Sequence, residues 1–130
     1  AVLSHVKRTI RTNYSNPPAH GGDVVETVLG DDALRARWLN ELAAMRDRIN
    51  GMRAKLAAAL DQRGLKLPGG DNSFITRQYG MFSFSGLDKQ QVETLRKEWS
   101  IYIVGSGRIN VAGLIEDKLD RVCDALAAVL

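Results

Sequence analysis

The sequence is poor in the residues that build cross-links and metal centres. Its 130 residues contain one cysteine, Cys123, and two widely separated histidines, His5 and His20. A disulfide within the chain needs two cysteines, so a reducing compartment such as the cytoplasm is the simpler expectation. No cysteine, histidine and acidic residues have metal-ligand spacing, and we expect no metal site.

Long apolar runs and a strong excess of one charge are also missing. No stretch approaches the roughly 18 apolar residues that cross a bilayer, and the first residues do not resemble a signal peptide. The net charge is only +3, and basic residues alternate with acids, as in Arg46-Asp47-Arg48. This pattern is typical of a solvated helix face, so neither a membrane nor a nucleic acid is expected as a partner.

The composition is that of an ordinary globular domain with enough apolar residues to bury a core. Residues 1–10 have the periodicity of an amphipathic helix but no start signal, which suggests a chain that begins within a larger protein. Two prolines and two glycines within Pro17–Gly22 predict a loop. A short helix over residues 23–29 follows, with Asp23 as its N-cap.

The longest predicted element is a helix of about 30 residues, roughly 45 Å long, which would bridge two bodies or lie along a large one. Its apolar residues recur in steps of three and four, a spacing that only an α-helix places on one face. Gly51 near its middle predicts a packing contact or a bend. The apolar stripe consists of Leu34, Trp38, Leu42, Met45, Ile49, Met52, Leu56 and Leu60.

The second half alternates short strands with helices, which predicts an α/β fold: a small sheet covered on one face by helices. One helix starts at Asp88, with Gln91 completing a capping box, and the final helix runs from about Leu114 to Val129. The predicted strands are Phe74–Thr76, Met81–Phe84, Ile101–Val104 and Arg108–Val111.

Two arginines are candidates for binding an anion. Arg108 follows a glycine turn after a predicted strand, where a ligand can approach closely, and its planar guanidinium matches both oxygens of a carboxylate. Arg11 ends a helix just before a stiff Asn-Pro-Pro loop. Local sequence alone favours plainer interpretations: a surface ion pair for Arg108 and a helix C-terminal cation for Arg11.

The aromatic residues have a similarly open interpretation. Phe82 and Phe84 alternate with serines, so a strand would send both rings to one face, normally the core, with a pocket as the alternative. Trp38 and Trp99 are interpreted as packing residues. A nucleotide fingerprint is excluded because Gly105 and Gly107 lack the third glycine and the following helix.

Three segments together resemble the C-terminal part of the aspartate/aromatic aminotransferases, which are class I pyridoxal-phosphate-dependent enzymes. The segments occur in the family's order, and the resemblance covers essentially the whole chain. They are RTNYSNPPAHG at 11–21, GMFSFSGL at 80–87 and SGRINVAGL at 106–114.

The resemblance implies roles for residues at matching positions. Arg108 would hold the α-carboxylate of the substrate in a two-pronged grip, and Phe82 would line the pocket beside it. Arg11 would reach across a homodimer interface and pair with the distal carboxylate of aspartate or glutamate. The segment bordering the partner's site would be Tyr14, Ser15 and Asn16.

The resemblance also implies what these residues do not supply. The family's Schiff-base lysine and its main cofactor-binding groups lie upstream, and none of the six lysines here stands in that context. No catalytic or cofactor-binding residue is therefore expected, and this piece alone should be inactive. Pyridoxal 5'-phosphate would be bound by an upstream part.

The implied fold is part of a fold type I transferase. Residues 1–45 would be a remnant of the large cofactor-binding domain with the start of the bridging helix, and 46–130 the small C-terminal domain. The complete enzyme would transfer an amino group between L-aspartate, or an aromatic amino acid, and 2-oxoglutarate. Arg11 does not decide between these substrates, since relatives that accept aromatic amino acids can keep it.

The alternative is a stand-alone, non-catalytic interaction module that associates through the apolar stripe of the long helix. The reading frame discriminates between the two hypotheses. A longer polypeptide with an upstream cofactor-lysine motif favours the enzyme, and a polypeptide that starts at Ala1 favours the module.

Overall fold

The computed structural model describes residues 1–16 and 18–130, which divide into two units, Ala1–Ala43 and Ala44–Leu130. The boundary between the units falls inside the longest helix. The sequence-based division after residue 45 concerns the complete protein and stays a prediction.

Three helices begin in the first unit. Helix α1 spans Val2–Tyr14, α2 spans His20–Gly30, and α3 starts at Asp32. The predicted loop is shorter than expected, because α2 begins at His20 and so takes in the two glycines. Asp23 is not the N-cap of α2. It lies in the first turn of that helix, where its carboxylate interacts favourably with the helix dipole. Pro17, part of the predicted loop, lies outside the described residues.

Helix α3 spans Asp32–Gln62 and confirms the predicted long helix, at roughly 46 Å for 31 residues. The Asp31 carboxylate caps it by accepting the Leu34 N–H at 2.9 Å. A Cβ atom at Gly51 would have no neighbour within 4 Å, so no close contact within the described chain explains this glycine. The stripe is buried only in its second half: Met52, Leu56 and Leu60 are buried, whereas Leu34, Trp38, Leu42 and Met45 are exposed.

The second unit combines the end of α3 with three helices and two strands. The strands pair antiparallel, with Phe82 opposite Asn110 and Phe84 opposite Arg108, which confirms two of the predicted strands. Helix α5 begins after Asp88, and both hydrogen bonds of the predicted capping box are present. The elements are α4 (Ser73–Arg77), β1 (Phe82–Phe84), α5 (Lys89–Trp99), β2 (Arg108–Asn110) and α6 (Leu119–Val129).

Two predicted strands are wrong. Phe74–Thr76 lies in α4, where the Phe74 and Ile75 N–H groups donate to Asp71 and Asn72 carbonyls in helical turns. Ile101–Val104 forms no strand, since no neighbouring segment pairs with it among the described residues. The final helix starts at Leu119, because 3₁₀ turns at Val111–Gly113 and Glu116–Lys118 precede it.

The core of the second unit lies between α3, α5 and α6. Gln91 Nε2 donates to the Val129 carbonyl at 2.7 Å and ties the start of α5 to the end of α6. The Cys123 thiol is buried, and burial raises its pKa. None of the helices described is long and apolar enough to cross a membrane. The largest fully buried apolar residues are Leu56, Leu60, Leu67, Ile75, Leu95 and Val111.

Candidate functional site

The backbone that carries Arg108 is fixed by a glycine turn. Gly107 has φ of +76°, and a Cβ atom there would lie 2.7 Å from the Leu87 carbonyl oxygen, so the turn requires glycine. The Ser85 N–H and Oγ–H both donate to the Gly107 carbonyl, at 3.0 and 2.7 Å. Strand β2 therefore begins at a defined point, with Arg108 as its first residue.

Strand β1 presents its aromatic rings outward. Ser83 and Ser85 are buried, whereas Phe82 and Phe84 are 43% and 57% exposed. The expectation that these rings face the core is therefore wrong. The alternation of the sequence is present, but the polar side chains point inward and the aromatic side chains outward.

The Arg108 guanidinium lies over the outward-facing ring of Phe82. Its central carbon is 4.7 Å from the ring centroid, within the range of a cation–π interaction. A guanidinium that contacts a ring through its face keeps its edge N–H groups free to donate elsewhere. The pair therefore combines a cation held over a ring with guanidinium donors that make no hydrogen bond within the described part of the chain.

A surface groove of about 230 Å³ surrounds this pair. The Asn110 side chain in its wall accepts a hydrogen bond from the Ala112 N–H at 3.1 Å, which fixes its amide. The Arg96 guanidinium lies 5.9 Å from the centroid of the ring of Tyr102, another residue of the groove. The groove is lined by Phe82, Tyr102, Ile103, Val104, Arg108 and Asn110.

Neither candidate arginine has an acidic partner among residues 1–16 and 18–130. The surface ion pair expected for Arg108 from local sequence is therefore not found within that part of the chain. The ion pairs involve other cations: Arg37, Arg46, Lys55, Arg63, Arg77 and Lys97.

Arg11 lies in the last turn of α1 and is exposed, as are the next residues named by the resemblance. The Ser15 N–H donates to the Arg11 carbonyl at 3.1 Å and closes the helix, and Ser15 itself has φ of 60°. A positive φ at a serine is uncommon and marks a constrained turn. The structure thus brings Phe82 and Arg108 together in the second unit, and Arg11, Tyr14, Ser15 and Asn16 together in the first.

The described residues offer no metal site and no lysine suited to pyridoxal phosphate. The described chain contains no group of three His, Cys, Asp or Glu residues that could hold a metal ion. All six lysines are exposed, and none lines the groove. Lys55 and Lys97 are paired with Glu116 and Glu93. An imine-forming lysine is normally activated by desolvation or a nearby cation, so these residues do not fit the cofactor.

Sequence reasoning missed Arg53, a buried residue that contacts the backbone of the segment carrying Phe82. Arg53 is 2% exposed, and its guanidinium donates four hydrogen bonds, two of them to the Gly80 and Phe82 carbonyls. The signal was available: Arg53 stands on the apolar face of α3, four residues after Ile49 and three before Leu56. A charged residue at such a position is almost never buried without a specific set of partners.

The family model for aminotransferase class I and II matches residues 1–126. The chain is 53% identical over 129 residues to an aspartate aminotransferase of Escherichia coli strain K12, a match that covers 99% of this chain and 32% of that protein. It is 44% identical over 129 residues to the aromatic-amino-acid aminotransferase of the same organism, with the same coverage.

A solved structure is similar over the same extent. The crystal structure of an aromatic-amino-acid aminotransferase from Burkholderia pseudomallei, covalently bound to pyridoxal phosphate, matches 99% of this chain and 32% of its own, at 54% identity and a TM-score of 0.87. The chain therefore spans about a third of the length of these relatives. The predicted family resemblance and fold class are confirmed.

Proposed function

The chain belongs to the class I and II aminotransferases, and we propose that it is part of a pyridoxal-phosphate-dependent enzyme acting on amino acids. The enzyme transfers an amino group between L-aspartate, or an aromatic amino acid, and 2-oxoglutarate. Its similarity to relatives named for both substrates supports this breadth.

The exposed Arg108 guanidinium on the Phe82 ring is the observation that carries the proposal. Arg108 binds the α-carboxylate through two parallel charge-assisted hydrogen bonds. Its freedom from acidic partners within the described chain supports this role, because an arginine already paired would have to break one carboxylate contact to make another. The Phe82 ring restricts the directions in which the guanidinium can point.

Arg11 and the turn after it act at a second place. In a homodimer Arg11 binds the distal carboxylate of a dicarboxylic substrate in the neighbouring subunit's site, and Tyr14, Ser15 and Asn16 border that site. The exposure of all four residues supports an intermolecular role. Two carboxylates at opposite ends of a short substrate call for two separate guanidinium groups.

Pyridoxal phosphate supplies the electron sink for amino transfer when it is bound. The exposed lysines of this chain do not fit that cofactor, so other parts of the polypeptide hold it. The contribution of these residues is to bind and orient the substrate's acid groups.

A cytoplasmic location is proposed from the single, buried cysteine, and cell fractionation with an antibody to the chain tests it.

The test uses the complete polypeptide that carries these residues, with aspartate and phenylalanine as donors and 2-oxoglutarate as acceptor. We expect bound pyridoxal phosphate, detected by its absorbance, and turnover of at least one donor. Arg108→Ala should lower kcat/KM by about 100-fold for every donor, because two charge-assisted hydrogen bonds to the α-carboxylate are lost.

The matched control is Arg77→Ala, since Arg77 is an exposed arginine whose one acidic contact within residues 1–16 and 18–130 is a surface pair with Asp71 at 3.5 Å. It should change kcat/KM less than twofold. A complete polypeptide that binds no pyridoxal phosphate would contradict the proposed function, as would equal losses in the Arg108 and Arg77 variants.

A further inference from the structure

We propose that Arg53 is a positioning residue for the substrate site: it holds β1 in the register that places the Phe82 ring outward beneath Arg108. The inference rests on the proposed function and deepens it. Arg53 does not touch the substrate, and it acts through the backbone of the strand that carries Phe82.

The surroundings of Arg53 are unusual for a buried cation. Its side chain comes from α3 and is almost fully enclosed, yet no carboxylate pairs with it among the described residues. Enclosure lowers its pKa by desolvation. Burying an unpaired charge is costly, so a residue with only a packing role would be apolar here, like Met52 and Leu56 beside it.

The hydrogen bonds of Arg53 converge on the start of β1. Nη2 donates to the Gly80 and Phe82 carbonyls, both at 2.7 Å, and Nη1 donates to Ser83 Oγ at 2.9 Å and to the Ile75 carbonyl at 2.8 Å. Three of these four acceptors lie within Gly80–Ser83. One guanidinium therefore defines both the position and the facing of this segment.

A second set of contacts extends the hold to the end of the strand. Ser83 Oγ donates to Gln78 Oε1, and Gln78 Oε1 also accepts a hydrogen bond from the Phe84 N–H at 3.2 Å. Arg53 and the half-buried Gln78 thus both bond to Ser83, which accounts for the inward orientation of that serine. Arg53 Nη1 and Nη2 donate two hydrogen bonds each, whereas the buried Nε has no partner within the described residues. The four bonds favour this arrangement of β1 because a slip of the strand would leave buried donors unpaired.

The facing of β1 decides whether the site exists. Successive side chains of a strand point to opposite faces, so a slip of one residue would turn Phe82 into the interior. An inward Phe82 would leave Arg108 without the ring that now lies 4.7 Å from its guanidinium carbon. Arg53 excludes that slip, because its acceptors include the Phe82 carbonyl and the Ser83 hydroxyl together.

The test compares Arg53→Lys with Arg63→Lys in the complete polypeptide. Both substitutions keep the positive charge, but Arg63, in the turn that follows α3, pairs with Asp120 on α6 and not with β1. Lysine is a point donor and cannot serve four acceptors in the plane of a fork. We expect Arg53→Lys to raise KM for aspartate and phenylalanine about tenfold, with kcat changed less, and Arg63→Lys to leave KM within twofold.

A double-mutant cycle separates positioning from general destabilisation. If Arg53 acts through Phe82, then Arg53→Lys in a Phe82→Leu background should raise KM much less than it does in the parent. Additive effects, or equal effects of the Arg53 and Arg63 variants, would overturn the proposal. Should Arg53→Lys fail to fold, Ser83→Ala removes one acceptor of Arg53 together with the hydrogen bond to Gln78, and it should raise KM two- to fourfold through the same coupling.

A readout independent of turnover keeps this inference distinct from the proposed function. Amide hydrogen exchange of residues 80–87 should be faster in Arg53→Lys than in Arg63→Lys when each variant is measured at the same interval below its own thermal unfolding temperature. Unchanged exchange contradicts the role of Arg53, whatever the enzyme does. Loss of transamination in the unsubstituted protein, with this exchange difference intact, contradicts the proposed function alone.

Discussion

The surroundings of each guanidinium decide what it can do in this chain. Arg53 donates four hydrogen bonds to three backbone carbonyls and one hydroxyl inside the protein. Arg63 Nη2 donates to a carboxylate oxygen of Asp120 at 2.6 Å. Arg108 lies on a ring and makes no ion pair within the described residues, so its donors remain available for an external anion. Only the third arrangement is suited to binding a substrate.

Arg11 gives a prediction that concerns the choice of substrate. Replacement by alanine in the complete polypeptide should lower kcat/KM for aspartate on the order of 10- to 100-fold, since a charge-assisted contact to the distal carboxylate is lost. The value for phenylalanine, which has no distal carboxylate, should stay within about twofold. Steady-state kinetics with the two donors side by side measures the difference.

The matched control for this variant is Arg8→Ala, which removes another exposed arginine from the same helix. This variant should leave kcat/KM for both aspartate and phenylalanine unchanged. Equal losses for aspartate and phenylalanine in the Arg11 variant would show that this residue does not read the distal carboxylate.

At the level of elements, periodic spacing predicted the helices but not the short strands. The stripe of α3 and the capping box of α5 are local signals, so the sequence was enough to find both. Strand formation depends on a partner elsewhere in the chain. Ile101–Val104 has strand-like residues without such a partner, and Phe74–Thr76 lies where Asn72 and Asp71 carbonyls favour a helical turn.

The site was predictable only in part. Arg108 and Phe82 were named from the family resemblance, and the structure places them in contact. The outward facing of Phe82 was not predictable from alternation alone, because alternation says that two rings share a face but not which face is buried. The deciding group, Arg53, is 29 residues away along the chain.

Gly51 in α3 gives a prediction about stability. Gly51→Ala should raise the free energy of unfolding of the 130-residue chain by about 1 kcal/mol, since alanine is the better helix former and its added methyl meets no described atom within 4 Å. Chemical denaturation followed by circular dichroism measures the change.

The mirror substitution on the same helix is Ala54→Gly, at an exposed position. It should lower the free energy of unfolding by a similar amount. A loss of stability in Gly51→Ala would instead mean that the helix needs a contact or bend at this glycine.

At the level of the whole molecule, the two units differ in how much they bury. Among the described residues of Ala1–Ala43 none is buried, although several carry large apolar side chains. The second unit has a continuous core that includes Leu60, Leu95 and Leu126. Local stability follows buried apolar contact, so the units should open independently.

Hydrogen exchange tests this difference. In the 130-residue chain, amides of α1 and α2 should exchange much faster than those of α5 and α6, because their helices have little buried support. In the complete polypeptide the α1 and α2 amides should slow markedly as their apolar residues become covered. Equal protection of all four helices in the short chain would contradict the expectation.

Carbonyl oxygens, unlike carboxylates, are not protonated at any pH that a cell reaches. The clamp that Arg53 places on β1 uses three carbonyls and one hydroxyl, and it is enclosed, where dissolved ions screen poorly. Acidification would protonate the carboxylate of an ion pair, and high salt would screen a pair exposed to solvent. The acceptors of Arg53 are neither carboxylates nor exposed ions, so neither change should weaken these hydrogen bonds. The alignment of the ring and the arginine above it should consequently hold steady through swings of acidity and ionic strength.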